Sequence, residues 1–163
     1  MNSQDTNTDV RTSVVVSASQ EDAFSVFTEG IGSWWPPEHH ILQGELAEMI
    51  FEPHVGGAVY DRATDGTECR WGRVLAYEPP HRFVITWNIN LQWQLETNPE
   101  KVSEIEVTFL SESATTTRVE LTHRHLDRHG PGWEQMRDAV GSSDGWQRGL
   151  GLFADRAAAP GSS

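Results

Sequence analysis

The densest run of side chains able to do chemistry is His123-Arg124-His125, followed closely by Asp127 and His129. Residues two apart on a strand point to the same side, so the two outer histidines could face one ligand. His39-His40 and His54 offer further imidazoles. A transition metal would suit such donors. The spacing, however, matches neither a Cys/His finger nor a HExxH helix. The run also falls where a strand ends, so the common direction is lost after His123. The expectation is no metal and no other cofactor. His123 keeps a narrower interest. It continues the inward side of Val119 and Leu121. There it either makes one hydrogen bond to a ligand in an apolar cavity or sits at the sheet rim bonded to a carbonyl.

Nucleophilic chemistry finds less support. Ser142-Ser143 lies in a helix break without the G-x-S-x-G setting. Glu68, Glu78 and Glu104 are scattered without evident pairing, and Gly56-Gly57 and Gly149-x-Gly151 fit no phosphate-loop spacing. Cys69 stands alone, which excludes a disulfide within the chain, and a free Cys reads as a small sheet hydrophobe.

The whole composition narrows the partners. A net charge of -12 opposes binding to nucleic acid or to an anionic membrane surface. No apolar run is long enough for a spanning helix, and MNSQDTNTDV at the start is no signal peptide, so a cytoplasmic location is expected. The 163 residues suit one domain with a real core, and 7 Trp and 6 Phe supply large apolar surface.

Elements must position these groups. Val14 to Val16 lie in a first strand, 11–17. Ser19 then caps a short helix carrying Phe24 and Phe27, and Ile31 to Trp35 adds a turn that Pro36-Pro37 stops. Further strands are expected at 46–52, 58–62, 67–77, 82–90, 104–109 and 118–123, with turns at Gly56-Gly57 and Asp65-Gly66. Trp93 and Leu95 either extend a strand or cover the sheet edge. Alternation turns Phe83, Ile85 and Trp87 to one face, and Ile105, Val107 and Phe109 likewise. A short helix follows from Trp133. Asp144, with Gln147 in capping-box position, is expected to start a final helix over 143–158, whose stripe is Trp146, Leu150, Phe153 and Ala157. This is an α+β chain. Residues 1–10 and 159–163 are expected to be disordered tails around a domain at 11–158.

The run from Trp71 to Trp87, with its Pro79-Pro80 corner, together with Gly56-Gly57 and Gly145-Trp146, resembles the START-like superfamily of polyketide cyclases and birch-pollen allergens. Within it the chain is most similar to the branch named after the activator of the heat-shock-protein-90 ATPase. The resemblance implies a helix-grip fold. A curved antiparallel sheet wraps a long C-terminal helix, two short helices follow the first strand, and a hydrophobic cavity lies between sheet and helix. It implies non-catalytic binding of a small hydrophobic or amphipathic ligand, lipid-like or aromatic. Expected cavity residues are Trp35, Trp71, Phe83, Trp87, Phe109, Leu121, His123, Trp146 and Leu150. The same aromatics are equally readable as plain core. Two alternatives stay open: a co-chaperone-like module that binds a protein partner, and a cyclase or hydrolase-like enzyme using His123 with a carboxylate. A paired His and carboxylate in the cavity favours the enzyme, and a cavity without polar groups favours the binder. A broad exposed apolar patch favours the protein partner.

Overall fold

The computed structural model describes residues 8–36, 39–42 and 44–158. Its strands are β1 (Val10–Val16), β2 (Leu46–Phe51), β3 (Ala58–Ala63), β4 (Glu68–Glu78), β5 (Arg82–Trp87), β6 (Ser103–Ser113) and β7 (Thr116–Arg124). The helices are α1 (Gln20–Phe27), α2 (Trp133–Val140) and α3 (Trp146–Ala157), with short 3-10 turns at Ile31–Ser33, Pro99–Lys101 and Leu126–His129. All seven strands join one antiparallel sheet in the order β1-β7-β6-β5-β4-β3-β2. This is the curled sheet and C-terminal helix of the helix-grip fold. None of the described helices is long and apolar enough to cross a membrane.

Alternation explains which side of the sheet is wet. Along β7, Thr117, Val119, Leu121 and His123 are buried while their neighbours are not. The outer sides of β5, β6 and β7 carry charges instead. Glu106 accepts from Arg82 at 2.8 Å and Arg124 at 3.2 Å, and Glu104 accepts from Arg124 at 3.1 Å and Arg128 at 3.3 Å. Such exposed pairs contribute at most about 1 kcal/mol each. Their main effect is to hold the polar side of each strand outward and so fix register.

Inside the curl, α1 and α3 meet the sheet. Ser19 Oγ accepts from the Asp22 amide, the expected cap, and Phe24 and Phe27 turn inward. Trp146, Leu150, Phe153 and Ala157 are all buried, so the helical stripe of α3 is the one that spacing indicates. Phe153 packs its ring against Phe27 at 4.8 Å and Trp34 at 5.5 Å.

Three expectations need correction. First, Asp144 does not cap α3: Gly145 holds the N-cap position, and no side chain bonds there. The connection from α2 folds back too tightly. The Gly145 amide donates to Ser142 O, and a Cβ on Gly145 would lie 2.3 Å from Val140 O. Second, β5 ends at Trp87 rather than near Asn90. Only an isolated bridge, Ile89 with Leu95, carries the pairing on, and Asn90 Oδ1 accepts from the amides of Gln92 and Gln94 to close a tight hairpin. Third, the sheet begins at Val10, paired with His123, so the chain already belongs to the fold before residue 11. The rest of the expected tails, 1–7 and 159–163, and Pro37 lie outside the described residues.

Candidate functional site

A cavity of ≈ 540 Å³ opens where the end of β5, the loop after α1 and the α2–α3 connection come together. Trp35, Trp87 and Trp146 form its walls, and Ile41, Ile89 and Val140 add apolar surface. The tryptophans hold one another nearly edge to face. Trp35 and Trp146 lie 5.7 Å apart at 82°, and Trp87 and Trp146 lie 5.7 Å apart at 62°. Trp35 is further pinned by donating its Nε1–H to His39 O at 2.9 Å. Trp93, at the tip of the β5–β6 hairpin, also lines the cavity while 47% exposed, and its backbone sits at φ 59°. A non-glycine residue rarely adopts that conformation, and the two bonds to Asn90 hold the turn in it.

The polar groups of the wall include His39, His40, Ser142 and Asp144. His40 is the one paired with a buried carboxylate. Its Nδ1 lies 2.7 Å from Asp61 Oδ2, with the His40 side chain 11% and the Asp61 side chain 1% exposed. Asp61 reaches it from the inward side of β3, where Val59 and Ala63 are also buried. A buried carboxylate must be compensated by donors. Here these are His40 and, at the longer distance of 3.4 Å, the indole N–H of Trp71. An ionised carboxylate only accepts, so His40 Nδ1 carries the hydrogen and Nε2 keeps its lone pair. Among the described residues, Nε2 has no hydrogen-bond partner. An imidazole on a cavity wall, oriented by a buried carboxylate, is the arrangement of a general base held by its partner.

The sequence-selected residues divide between the two surfaces. Trp35, Trp87 and Trp146 line the cavity. Trp71, Phe83, Phe109, Leu121 and Leu150 are buried in the core behind it. His123 is likewise off the cavity wall, with 0% of its surface exposed. It lies behind Trp87 and Trp146, with ring centroids 5.1 and 6.0 Å away. Both of its nitrogens are occupied: Trp146 Nε1–H donates to Nδ1 at 3.0 Å, and Nε2 meets Ser103 Oγ at 2.7 Å. Burial, reinforced by the neighbouring His129, lowers its pKa to about 3. It therefore stays neutral and does not face the cavity. Alternation turns His123 inward, as the sequence pattern requires, but the large indoles of two other elements stand between it and the void.

Sequence pattern does not single out Asp61, and it offers His40 only as a metal donor. The signal that could have found the pair is a carboxylate alternating with Val59 and Ala63 on a buried strand face, where an ionisable group needs a partner. No group of three or more His, Cys, Asp or Glu that could hold a metal occurs among the described residues.

With this geometry in view, similarity to known proteins is informative. The family model described as activator of Hsp90 ATPase homolog 1-like protein matches residues 17–156. An anthrahydroquino-gamma-pyrone synthase, solved in complex with a ligand, is 46% identical over 90% of this chain and 95% of that one, with a TM-score of 0.64. A self-sacrificing resistance protein from Micromonospora echinospora is 30% identical, covering 93% of this chain and 94% of that one, with a TM-score of 0.66. A protein from Nitrosomonas europaea, at 16% identity, 90% and 92% coverage and a TM-score of 0.64, shares the fold alone. No curated protein matches. The match across most of the chain establishes that it belongs to the activator of Hsp90 ATPase homolog 1-like family, within the START-like superfamily.

Proposed function

We propose that this protein is a ring-closing enzyme acting on a planar, aromatic, amphipathic substrate held in the cavity that Trp35, Trp87 and Trp146 line. The observation that carries the reading is the His40–Asp61 pair, which places a carboxylate-held imidazole on the cavity wall. The 46% identity to a pyrone-forming synthase supports the substrate class and the reaction type. Closing an oxygen ring of that kind is proton chemistry. A hydroxyl loses its proton to His40 Nε2, and its oxygen forms a C–O bond to an alkyne carbon conjugated with a carbonyl, so that one C=C remains in the closed ring. The displaced electron pair moves toward that carbonyl, and the imidazolium returns the proton. No oxidant is consumed. Asp61 holds the ring orientation and stabilises the imidazolium as it forms. The indole walls exclude water and align the reacting atoms.

Binding without catalysis in the same cavity is a second reading, favoured by the 30% identity to a resistance protein. A docking role toward another protein finds less support. Of the exposed large apolar side chains, Val15, Leu46, Val55, Leu75 and Leu110 lie on different strands and turns, and Trp93 and Leu95 share the hairpin beside the cavity.

The test is turnover of a hydroxyanthraquinone bearing an alkynyl ketone side chain, followed by absorbance and mass. A general base contributes about 10²–10⁴-fold, so His40→Ala should lower the turnover number by that factor. Its affinity for the substrate should change little. Asp61→Asn should lower turnover by at least about tenfold, because the imidazole loses its orienting charge. Ring closure by His40→Ala at the wild-type rate rejects His40 as the base. Tight binding of the same compound by the wild type without any closure rejects the enzyme in favour of the binder.

A further inference from the structure

Behind the cavity wall four buried side chains form one hydrogen-bonded chain. Trp146 Nε1 on α3 lies 3.0 Å from His123 Nδ1 on β7. His123 Nε2 lies 2.7 Å from Ser103 Oγ on β6, and the same oxygen lies 2.8 Å from His129 Nε2 at the end of the 3-10 turn Leu126–His129. The donors order themselves. An indole N–H can only donate, so His123 Nδ1 accepts. Neutral His123 then carries its hydrogen on Nε2 and gives it to Ser103. Ser103 has a single hydrogen, which goes to His129 Nε2. His129 is left with Nδ1–H, and that atom is buried without a partner among the described residues. The chain runs one way, from indole to imidazole to hydroxyl to imidazole.

We propose that this chain is a positioning device for Trp146, through which Ser103 and His129, neither of them on the cavity wall, set how tightly the cavity grips a planar ligand. The proposal rests on the reading that the cavity lined by Trp35, Trp87 and Trp146 holds the ligand. Trp146 packs edge to face on Trp35 at 82° and on Trp87 at 62° within the cavity wall. A turn of its indole would change the shape of the wall that the ligand meets. With its N–H committed to His123, Trp146 presents carbon and ring face to the cavity and no donor. The chain is not a proton path, because the indole at its cavity end only donates a hydrogen bond. The unpartnered Nδ1–H of His129 makes the far end its weak point, since a buried donor without a partner is destabilising.

The full chain, labelled with ¹⁵N, reports the arrangement by NMR. His123 should appear as the Nε2–H tautomer, His129 as the Nδ1–H tautomer, and the Trp146 indole N–H should exchange slowly. His123 as the Nδ1–H tautomer would overturn the chain. Binding is then read with 1,8-dihydroxyanthraquinone as planar probe and 1-anilinonaphthalene-8-sulfonate as a flexible one. Ser103→Ala should weaken the anthraquinone by about five- to tenfold, the worth of one lost hydrogen bond, and the flexible probe less than about twofold. The Trp146 indole resonance should move in the same variant. Ser103→Cys keeps the shape with a weaker donor and should fall between; it carries the test if Ser103→Ala does not fold. Equal weakening of both probes, or unchanged anthraquinone affinity, overturns the proposal. Failure of the wild type to bind the anthraquinone rejects the ligand reading instead, while the tautomers still decide whether the chain exists.

Discussion

His123 cannot gain a proton without setting a second N–H against that of Trp146. Its pKa of about 3 follows chiefly from burial, and burial also lowers that of His129, where Glu96 partly opposes it. The consequence is a stability that depends on acid. Both folded values lie below the ordinary 6.5 of histidine. Between them and 6.5 the unfolded chain binds more protons than the folded one, so stability is full above pH 6.5 and falls as pH drops toward about 3. The loss should reach a few kcal/mol in order of magnitude. His123→Gln supplies the matching test. Its amide oxygen can accept from Trp146 and its NH₂ can donate to Ser103, but it does not titrate. Thermal melts from pH 4 to 8 should show a shallower acid limb for the variant than for the wild type. Parallel limbs would mean that other groups, not this imidazole, dominate acid unfolding.

At the scale of elements, the decisive piece is the join between α2 and α3. Alternation and helical spacing make the strands and the inward stripe of α3 legible, because those periods follow from backbone geometry. The join has no period. Asp144 carries the sequence signature of a cap, yet it lines the cavity while Gly145 takes the cap position. What decides is the close approach of Gly145 to the carbonyls of Ala139 and Val140, a tertiary fact that no local pattern records. The same reason hides the dyad. His40 lies in a loop and Asp61 on β3, joined only by the curl of the sheet. Residue type alone separates neither the cavity tryptophans from the core ones nor His123 from the wall. Two variants probe the join. Gly145→Ala would place its Cβ at 2.3 Å from Val140 O, backbone that cannot swing aside. It should cost more than about 2 kcal/mol, beyond the ordinary range for a surface change, and shift the start of α3. Gly151→Ala in the same helix meets nothing within 4 Å and should be neutral or stabilising by up to about 1 kcal/mol. Equal melting temperatures for the two would refute the close-approach account.

For the whole molecule, the cavity is a joint between parts that are distant in sequence. Trp35 follows α1, Trp87 ends β5, Trp93 tips the hairpin, and Trp146 opens α3. A molecule filling this space would tie those four parts together. A bound ligand therefore acts on global stability, not only on the loop it touches. For a site that exists only in the folded state, ligand at a hundred times its Kd adds about 2.7 kcal/mol. In a domain of this size that raises Tm by several degrees, roughly 2–4 °C per kcal/mol. With 1,8-dihydroxyanthraquinone, the shift should grow with the logarithm of ligand concentration. Because four of the 7 tryptophans line the cavity, intrinsic fluorescence should be quenched with the same Kd. The net charge of -12 adds a control. An anionic sulfonated anthraquinone should bind more weakly at low salt and recover as salt screens the repulsion, while the neutral compound should be nearly indifferent. Quenching without any rise in Tm would place the probe on the surface near Trp93 and count against occupation of the cavity.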